Sequence, residues 1–144
     1  NDIHGHIAEN KRNQEFGYAK LATIIKKWRS EHKNFLLLDA GDTFQGSVYA
    51  DQFKGESIVP LVNYLDYDVM AAGNHEFDYG WQQTLKLKRM LNFPLISANV
   101  YRSNGKLLLT PVYYANIGGE RFAFLGFVTQ ETSILTHAKN VAGL

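Results

Sequence analysis

The chain has 144 residues, of which 45% are hydrophobic, and its 15 lysine and arginine residues against 14 aspartate and glutamate residues give a formal net charge of +1. This length suits a single domain with a buried core, and the near-neutral charge gives no reason to expect a nucleic-acid partner. No apolar stretch approaches the roughly twenty residues of a membrane span, and the absence of cysteine excludes thiolate metal sites.

The hydrophobic spacing predicts helices that alternate with short buried strands. Apolar residues at helical spacing predict a first helix over 16–33, and the apolar runs after it have the length of buried strands. In chain order the predicted elements are helix 16–33, strand 35–38, helix 57–64 with Ser57 as its N-cap, strand 69–72, helix 81–91, strand 94–99 and a hairpin of 112–117 and 121–128. This order predicts a layered α/β domain.

Three short polar clusters carry the chemistry, at residues 1–6, 41–44 and 73–78. The last two clusters follow closely on the predicted strands 35–38 and 69–72. Ligands of open α/β sheets collect just past the carboxyl ends of the strands, so these clusters are expected to meet. By analogy, we expect a further strand to precede the first cluster.

The donors in these clusters suit divalent metal ions. Asp2 and His4, at alternate positions of a segment expected to be extended, are predicted to bind one ion together. Asp42 is the natural bridge to a second ion if its strand lies between the other two, and Asn74 offers a carbonyl oxygen to that second ion. His75, one residue further, is predicted to face the substrate. Oxygen and imidazole donors suit Mn, Fe, Co or Zn alike, so the identity of the two metals stays open.

Each cluster alone has an ordinary structural interpretation. Asp2 and His4 are compatible with simple surface positions, residues 41–42 with a turn or helix cap, and residues 73–76 with a loop that holds a left-handed asparagine. The three clusters together, at strand ends and in this order, favour a metal site. The remaining histidines are predicted to be surface residues: His6, His32 and His137.

The clusters resemble a known family. The stretches Asn-Asp-Ile-His-Gly at 1–5, Gly-Asp at 41–42 and Gly-Asn-His-Glu-Phe-Asp at 73–78 resemble the calcineurin-like metallophosphoesterases. The longer stretches 39–47 and 73–80 are similar to the bacterial 5′-nucleotidase and 2′,3′-cyclic-nucleotide phosphodiesterase branch. The resemblance implies a four-layer α/β/β/α sandwich with the site at one sheet edge.

The resemblance also implies roles for the site residues. Asp2 and His4 would bind the first metal ion, Asp42 would bridge, and Asn74 would bind the second. His75 would stabilise the phosphoryl transition state or protonate the leaving group, and Asp78 would hold its tautomer. The implied reaction is hydrolysis of nucleotide phosphate esters by a hydroxide that the metal ions activate.

The chain departs from the family pattern in one respect. The later histidine ligands of the family have no counterpart after His75, where only His137 occurs, and the nucleoside-binding domain is also absent. The resemblance therefore predicts that residues 1–144 are the N-terminal portion of a catalytic domain, incomplete at both ends and weakly active alone. It further implies an extracytoplasmic location, in the periplasm or at the cell surface.

Two other functions stay open at this point. The missing ligands are also compatible with a non-catalytic module that binds metal or phosphate. A nuclease or another phosphodiesterase of the same superfamily is the third interpretation, although the near-neutral charge argues against a polyanion groove. In the preferred interpretation the partner is a small-molecule nucleotide, and the oligomeric state is not predicted.

Overall fold

The computed structural model describes residues 1–144 as a mixed α/β fold. Its strands are β1 (Leu38–Asp39), β2 (Val69–Ala71), β3 (Leu95–Ile96), β4 (Val112–Ile117) and β5 (Glu120–Leu125). Its helices are α1 (Gly17–Glu31), α2 (Val48–Gln52), α3 (Val59–Leu65), α4 (Trp81–Met90), α5 (Thr132–Leu135) and α6 (Ala138–Val141), with a 3₁₀ turn at His75–Phe77. None of these helices combines the length and apolar character that a membrane crossing requires.

The first three strands form a parallel sheet in the order β1, β2, β3. Leu38 pairs with Val69, and Met70 of the central strand pairs with Leu95. The hairpin of β4 and β5 is antiparallel and adjoins the end of β3, where the main-chain N–H of Ser97 donates to the carbonyl of Thr110. Strand and helix alternation before a hairpin confirms the predicted α/β class.

The core lies between the parallel sheet and the helices that connect its strands. Met70 and Leu95 from the sheet, Val62 from α3 and Leu87 from α4 are almost completely removed from solvent. Helix α1 packs against α3, and Tyr18 and Ile25 are the buried side chains of α1. Burial of this apolar surface holds the carboxyl ends of the strands in place for the site.

The strand predicted at 35–38 is wrong in its bounds. The main-chain N–H of Leu37 donates to the side chain of Asp68 rather than to a neighbouring strand, so β1 begins only at Leu38. Leu38 is also 48% exposed and not buried. Likewise the strand predicted at 94–99 is limited to β3, because Ser97 already pairs with the hairpin side.

The N-cap predicted for the helix at 57–64, which corresponds to α3, is also wrong. The Ser57 hydroxyl donates to the carbonyl of Tyr49, and Ile58 occupies the N-cap position of α3 without a side-chain bond. Pro60 lies in the first turn of α3, where its missing N–H costs nothing. The short helices α2, α5 and α6 and the 3₁₀ turn have too few residues to show a periodic pattern.

Candidate metal centre and active site

The amino-terminal segment is hydrogen-bonded to the loop that follows β1. The main-chain N–H groups of Asp2, His4 and Gly5 donate to the carbonyls of Gly41, Asp42 and Thr43, at 3.0, 3.0 and 2.9 Å. The loop that carries Asp42 therefore lies between the amino-terminal segment and the loop that follows β2. This is the arrangement that the bridging role predicted for Asp42 requires.

Asp2, His4 and Asp42 form one cluster. One ligand atom from each residue lies within 4.8 Å of the other two, which is close enough for a single ion to be shared. The donor set of two carboxylates and an imidazole, partly exposed to solvent, fits a divalent cation. The predicted proximity of these three side chains is thus present.

The backbone of these residues differs from the prediction. Asp2 and His4 do not lie in an extended segment, because their φ angles are 55° and 49°, and Asp42 has a φ of 57°. Left-handed conformations are sparsely populated by residues other than glycine, and such strained positions concentrate at functional sites. A turn at His4, and not the alternation of side chains along an extended segment, brings the side chain of His4 beside Asp2.

The ring of His4 is oriented by a carbonyl. Its Nδ1 lies 3.2 Å from the carbonyl oxygen of Gln45, which can only accept, so Nδ1 carries the proton and Nε2 is free for an ion. Gly46 makes this approach possible, since a Cβ at Gly46 would lie 2.8 Å from the Cβ of His4. The φ of Gly46, 119°, is also one that other residues rarely adopt.

The loop after β2 approaches Asp42 through its backbone. The main-chain N–H of His75 donates to Oδ1 of Asp42 at 2.9 Å, and a Cβ at Gly73 would lie 2.4 Å from the same oxygen. Asn74 lies between these two residues in the chain and is half-buried. Its main-chain carbonyl accepts from the main-chain N–H of Phe77, the last residue of the 3₁₀ turn.

His75 and Asp78 form a hydrogen-bonded pair. Nδ1 of His75 donates to Oδ2 of Asp78 at 2.7 Å, so Nε2 is the ring atom left for a substrate. Burial lowers the pKa of His75, but the Asp78 hydrogen bond and the nearby negative charges outweigh it and raise the pKa above its usual value. The rings of His4 and His75 lie 5.1 Å apart, edge to face, so the pair belongs to the same site as the cluster.

Two residues outside the predicted site support Asp78. The hydroxyl of Thr136, a buried residue just after α5, donates to Oδ1 of Asp78 at 3.3 Å. The side-chain amide of Asn140 donates to the main-chain carbonyl of Asp78 at 2.5 Å. Both lie far along the chain in a segment with no recognisable motif, so only the folded structure brings them to the site.

Glu76 is the most deeply buried ionisable group at the site. It is 2% exposed and accepts three main-chain N–H bonds, from Asp42, Thr43 and Gly73. Burial raises the pKa of Glu76 to about 7, and the three N–H donors oppose this rise. In the sequence, only its position inside the 73–78 cluster indicates that Glu76 has a role at the site.

The three histidines predicted to be surface residues differ in their surroundings. His32 and His137 are exposed, as predicted, and Nδ1 of His137 accepts from the main-chain N–H of Lys139. His6 is partly exposed, with Nδ1 2.7 Å from Oε2 of Glu15, and lies outside the Asp2, His4 and Asp42 cluster, which is compatible with its prediction as a surface residue. This hydrogen bond holds His6 against the segment that precedes α1.

The family assignment follows from comparison with known proteins. The model of the family described as calcineurin-like phosphoesterase matches residues 1–139. The chain belongs to this family. This phosphoesterase chain is 38% identical over 151 residues to a snake venom 5′-nucleotidase from Crotalus adamanteus, in an alignment that covers 95% of the chain and 26% of the relative. It spans about a quarter of the length of the curated relatives that it matches, with 26%, 28% and 26% for three of them.

Solved structures of the phosphoesterase family share the fold. A 5′-nucleotidase precursor from Thermus thermophilus is 34% identical with a TM-score of 0.80, over 91% of this chain and 28% of that chain. The calcineurin-like phosphoesterase YfkN from Bacillus subtilis is 27% identical with a TM-score of 0.82, over 99% of this chain and 50% of that chain. The predicted family, its 5′-nucleotidase likeness and its α/β fold are thereby confirmed.

Proposed function

We propose that the protein hydrolyses the phosphate ester of nucleotides, with divalent metal ions held at the Asp2, His4 and Asp42 cluster. The observation that carries this proposal is the convergence of that cluster, whose ligand atoms lie within 4.8 Å of one another, with the His75–Asp78 pair. Metal ligands beside an oriented imidazole are the parts that phosphate ester hydrolysis requires.

The metal ligands have distinct proposed roles. Asp2 and His4 would hold a first ion, Asp42 would be shared with a second, and Asn74 would supply a neutral oxygen to that second ion. Mn, Zn, Fe and Co all suit these donors. Divalent ions bound there would activate water and neutralise negative charge on the phosphoryl group.

His75 is the proposed proton donor and charge stabiliser. Because Asp78 accepts from Nδ1, the ring is fixed with Nε2 available to the departing oxygen of the ester. The hydrogen bond from the main chain of His75 to Asp42 fixes the other end of the residue relative to the cluster. His75 thus protonates the leaving alcohol and stabilises the phosphoryl oxygens, while Asp78 orients it.

The proposed substrates are nucleoside 5′-monophosphates, with 2′,3′-cyclic nucleotides as the second class. The 5′-nucleotidase names of the relatives from Crotalus adamanteus and Thermus thermophilus support this choice. The formal net charge of +1 favours a small substrate over a polyanion.

We further propose that residues 1–144 are the N-terminal portion of a longer catalytic domain. We also propose that this domain acts outside the cytoplasm, as the venom relatives suggest.

The decisive experiment measures Mn²⁺-dependent release of phosphate from AMP. We expect a longer protein that includes residues 1–144 to release phosphate only with the metal, and residues 1–144 alone to release little. The Asp42→Asn variant of the longer protein should lose this activity, since an amide cannot replace a shared carboxylate. Asp66→Asn is the matched control, because Asp66 is exposed at the end of α3 and its left-handed conformation suits asparagine. Ordinary activity of Asp42→Asn would refute the metal assignment, and Mn²⁺ binding without turnover of AMP or 2′,3′-cyclic AMP would favour a non-catalytic module.

A further inference from the structure

Glu76 is buried without a basic partner. Its carboxylate is instead satisfied by main-chain donors: Oε2 accepts from Asp42 at 2.8 Å and from Gly73 at 2.6 Å, and Oε1 accepts from Thr43 at 2.9 Å. A carboxylate that is removed from water is expensive unless its oxygens are hydrogen-bonded. An apolar residue of the same size would avoid that cost, so the carboxylate serves something besides packing.

The donors to Glu76 come from two different loops. Asp42 and Thr43 belong to the loop after β1, whereas Gly73 belongs to the loop after β2, which also carries Glu76 itself. In return, the side chain of Asp42 accepts from the main-chain N–H of His75. Each loop therefore contributes a carboxylate that binds the main chain of the other, and the two loops are closed into a ring of hydrogen bonds.

The loop after β1 needs such a restraint. Its backbone is left-handed at both Gly41, with a φ of 104°, and Asp42, with a φ of 57°. Asp39 restrains the start of the loop, since its side chain accepts from the main-chain N–H of Gly41 and from the hydroxyl of Thr43. Glu76 restrains the main chain of Asp42 and joins it to the loop that carries Asn74 and His75.

From these contacts we infer that Glu76 is a positioning residue, which fixes the carboxylate of Asp42 relative to His75 and so sets the spacing between the metal cluster and the proton donor. This inference rests on the proposed function for its effect on turnover. The geometric part of the inference does not, because these hydrogen bonds join side-chain carboxylates to main-chain N–H groups and need no ion. Glu76 itself is buried, so it acts through Asp42 and not by contact with a substrate.

Glu76→Gln is the test, because it keeps the shape of the side chain and replaces one acceptor oxygen with a donor. At least one of the three main-chain N–H groups then faces an NH₂ group and loses its acceptor. We expect Mn²⁺ affinity measured by calorimetry to fall at least about tenfold. We also expect kcat for AMP to fall with KM nearly unchanged, and faster amide hydrogen exchange at Asp42, Thr43 and Gly73 in metal-free protein.

Leu65→Ala is the matched control for stability. Leu65 is 3% exposed at the end of α3, which leads into the amino end of β2, opposite the site. This variant loses stability like any core truncation, but its Mn²⁺ affinity and the exchange of the three amides are expected to stay within about twofold of wild type. A merely structural Glu76 would behave in the same way as Leu65.

The outcomes separate the two claims. Wild-type Mn²⁺ affinity in Glu76→Gln, or unchanged exchange at the three amides, overturns the positioning role. Weakened affinity in Leu65→Ala to the same degree also overturns it, because loss of stability would then explain both variants. If a longer protein that includes residues 1–144 neither binds Mn²⁺ nor hydrolyses AMP, the proposed function is refuted, and the amide exchange then decides the geometric role of Glu76 alone.

Discussion

The main-chain N–H of His75 donates to Oδ1 of Asp42 at 2.9 Å, so the proposed bridging ligand also anchors the proposed proton donor. The side chain of Asp42 therefore has two separable duties, one toward metal ions and one toward the neighbouring loop. Asparagine retains an oxygen that can accept from His75, whereas alanine retains nothing.

This difference gives a first prediction. Asp42→Asn is expected to keep the amide of His75 protected from hydrogen exchange while losing Mn²⁺ affinity, and Asp42→Ala is expected to lose both. Exchange measured by NMR in metal-free protein, together with Mn²⁺ calorimetry, checks the pair of variants. Equal loss of protection in both would mean that the carboxylate does not hold the loop through this bond.

A second prediction concerns the His75–Asp78 pair. Asp78→Asn and His75→Ala are each expected to lower kcat for AMP by about 10²- to 10⁴-fold, the usual contribution of a positioned proton donor. The double variant should be little worse than either single one, because the two residues act as a unit. Steady-state kinetics of the four proteins tests this, and additive losses would show that Asp78 acts separately from His75.

A third prediction concerns Gly46. Gly46→Ala places a methyl group 2.8 Å from the Cβ of His4 and is expected to weaken Mn²⁺ affinity by about 10- to 100-fold, as loss of a ligand's orientation does. Gly119→Ala is the control, because Gly119 also has a positive φ, 89°, but no neighbour within 4 Å of the added methyl. If both variants weaken binding equally, backbone strain and not the contact with His4 is responsible.

A fourth prediction concerns Thr136, whose hydroxyl donates to Asp78. Thr136→Val keeps the size of the side chain and is expected to lower kcat about three- to tenfold, the value of one modest hydrogen bond. Thr132→Val is the control, since the Thr132 hydroxyl donates to the carbonyl of Thr129 within its own turn. A reduced kcat in the control alone would contradict the proposed support of Asp78.

A fifth prediction concerns metal and stability. Mn²⁺ at about 100 times its Kd should stabilise the folded protein by about 2.7 kcal/mol, which raises Tm by roughly 9 °C for a chain of this length. Excess EDTA should reverse the shift, and Asp42→Asn should show little of it. Thermal unfolding followed by circular dichroism provides the measurement, and a shift of full size in Asp42→Asn would place the ion elsewhere.

Parts of the site are visible in the sequence because they depend on local pattern. Apolar runs followed by Gly-Asp at 41–42 and by Gly-Asn-His at 73–75 show that polar groups follow strands, and parallel pairing then brings them together. The pairing of His75 with Asp78 is implied by the family resemblance, and their spacing of three residues within one helical turn is compatible with it.

Other parts depend on tertiary contacts that no local pattern contains. The left-handed backbone of Asp2 and His4 arises from pairing with residues 41–43, so the expectation of an extended segment is wrong. The sequence predicts that Ser57 caps its own helix, but the carbonyl of Tyr49 lies within its reach. Glu76 resembles any acidic residue in a loop until two distant main-chain segments are seen to converge on it.

The large sequence separation of the contacts at the site has a consequence for folding. The amino-terminal segment, the loop after β1 and the loop after β2 are joined by contacts between residues far apart in sequence. Such contacts have high contact order and form slowly, because the chain loses loop-closure entropy before the contacts contribute any stabilising free energy. Metal added during refolding should therefore leave the folding rate unchanged and slow unfolding, since the ion meets its ligands only after the sheet has been assembled.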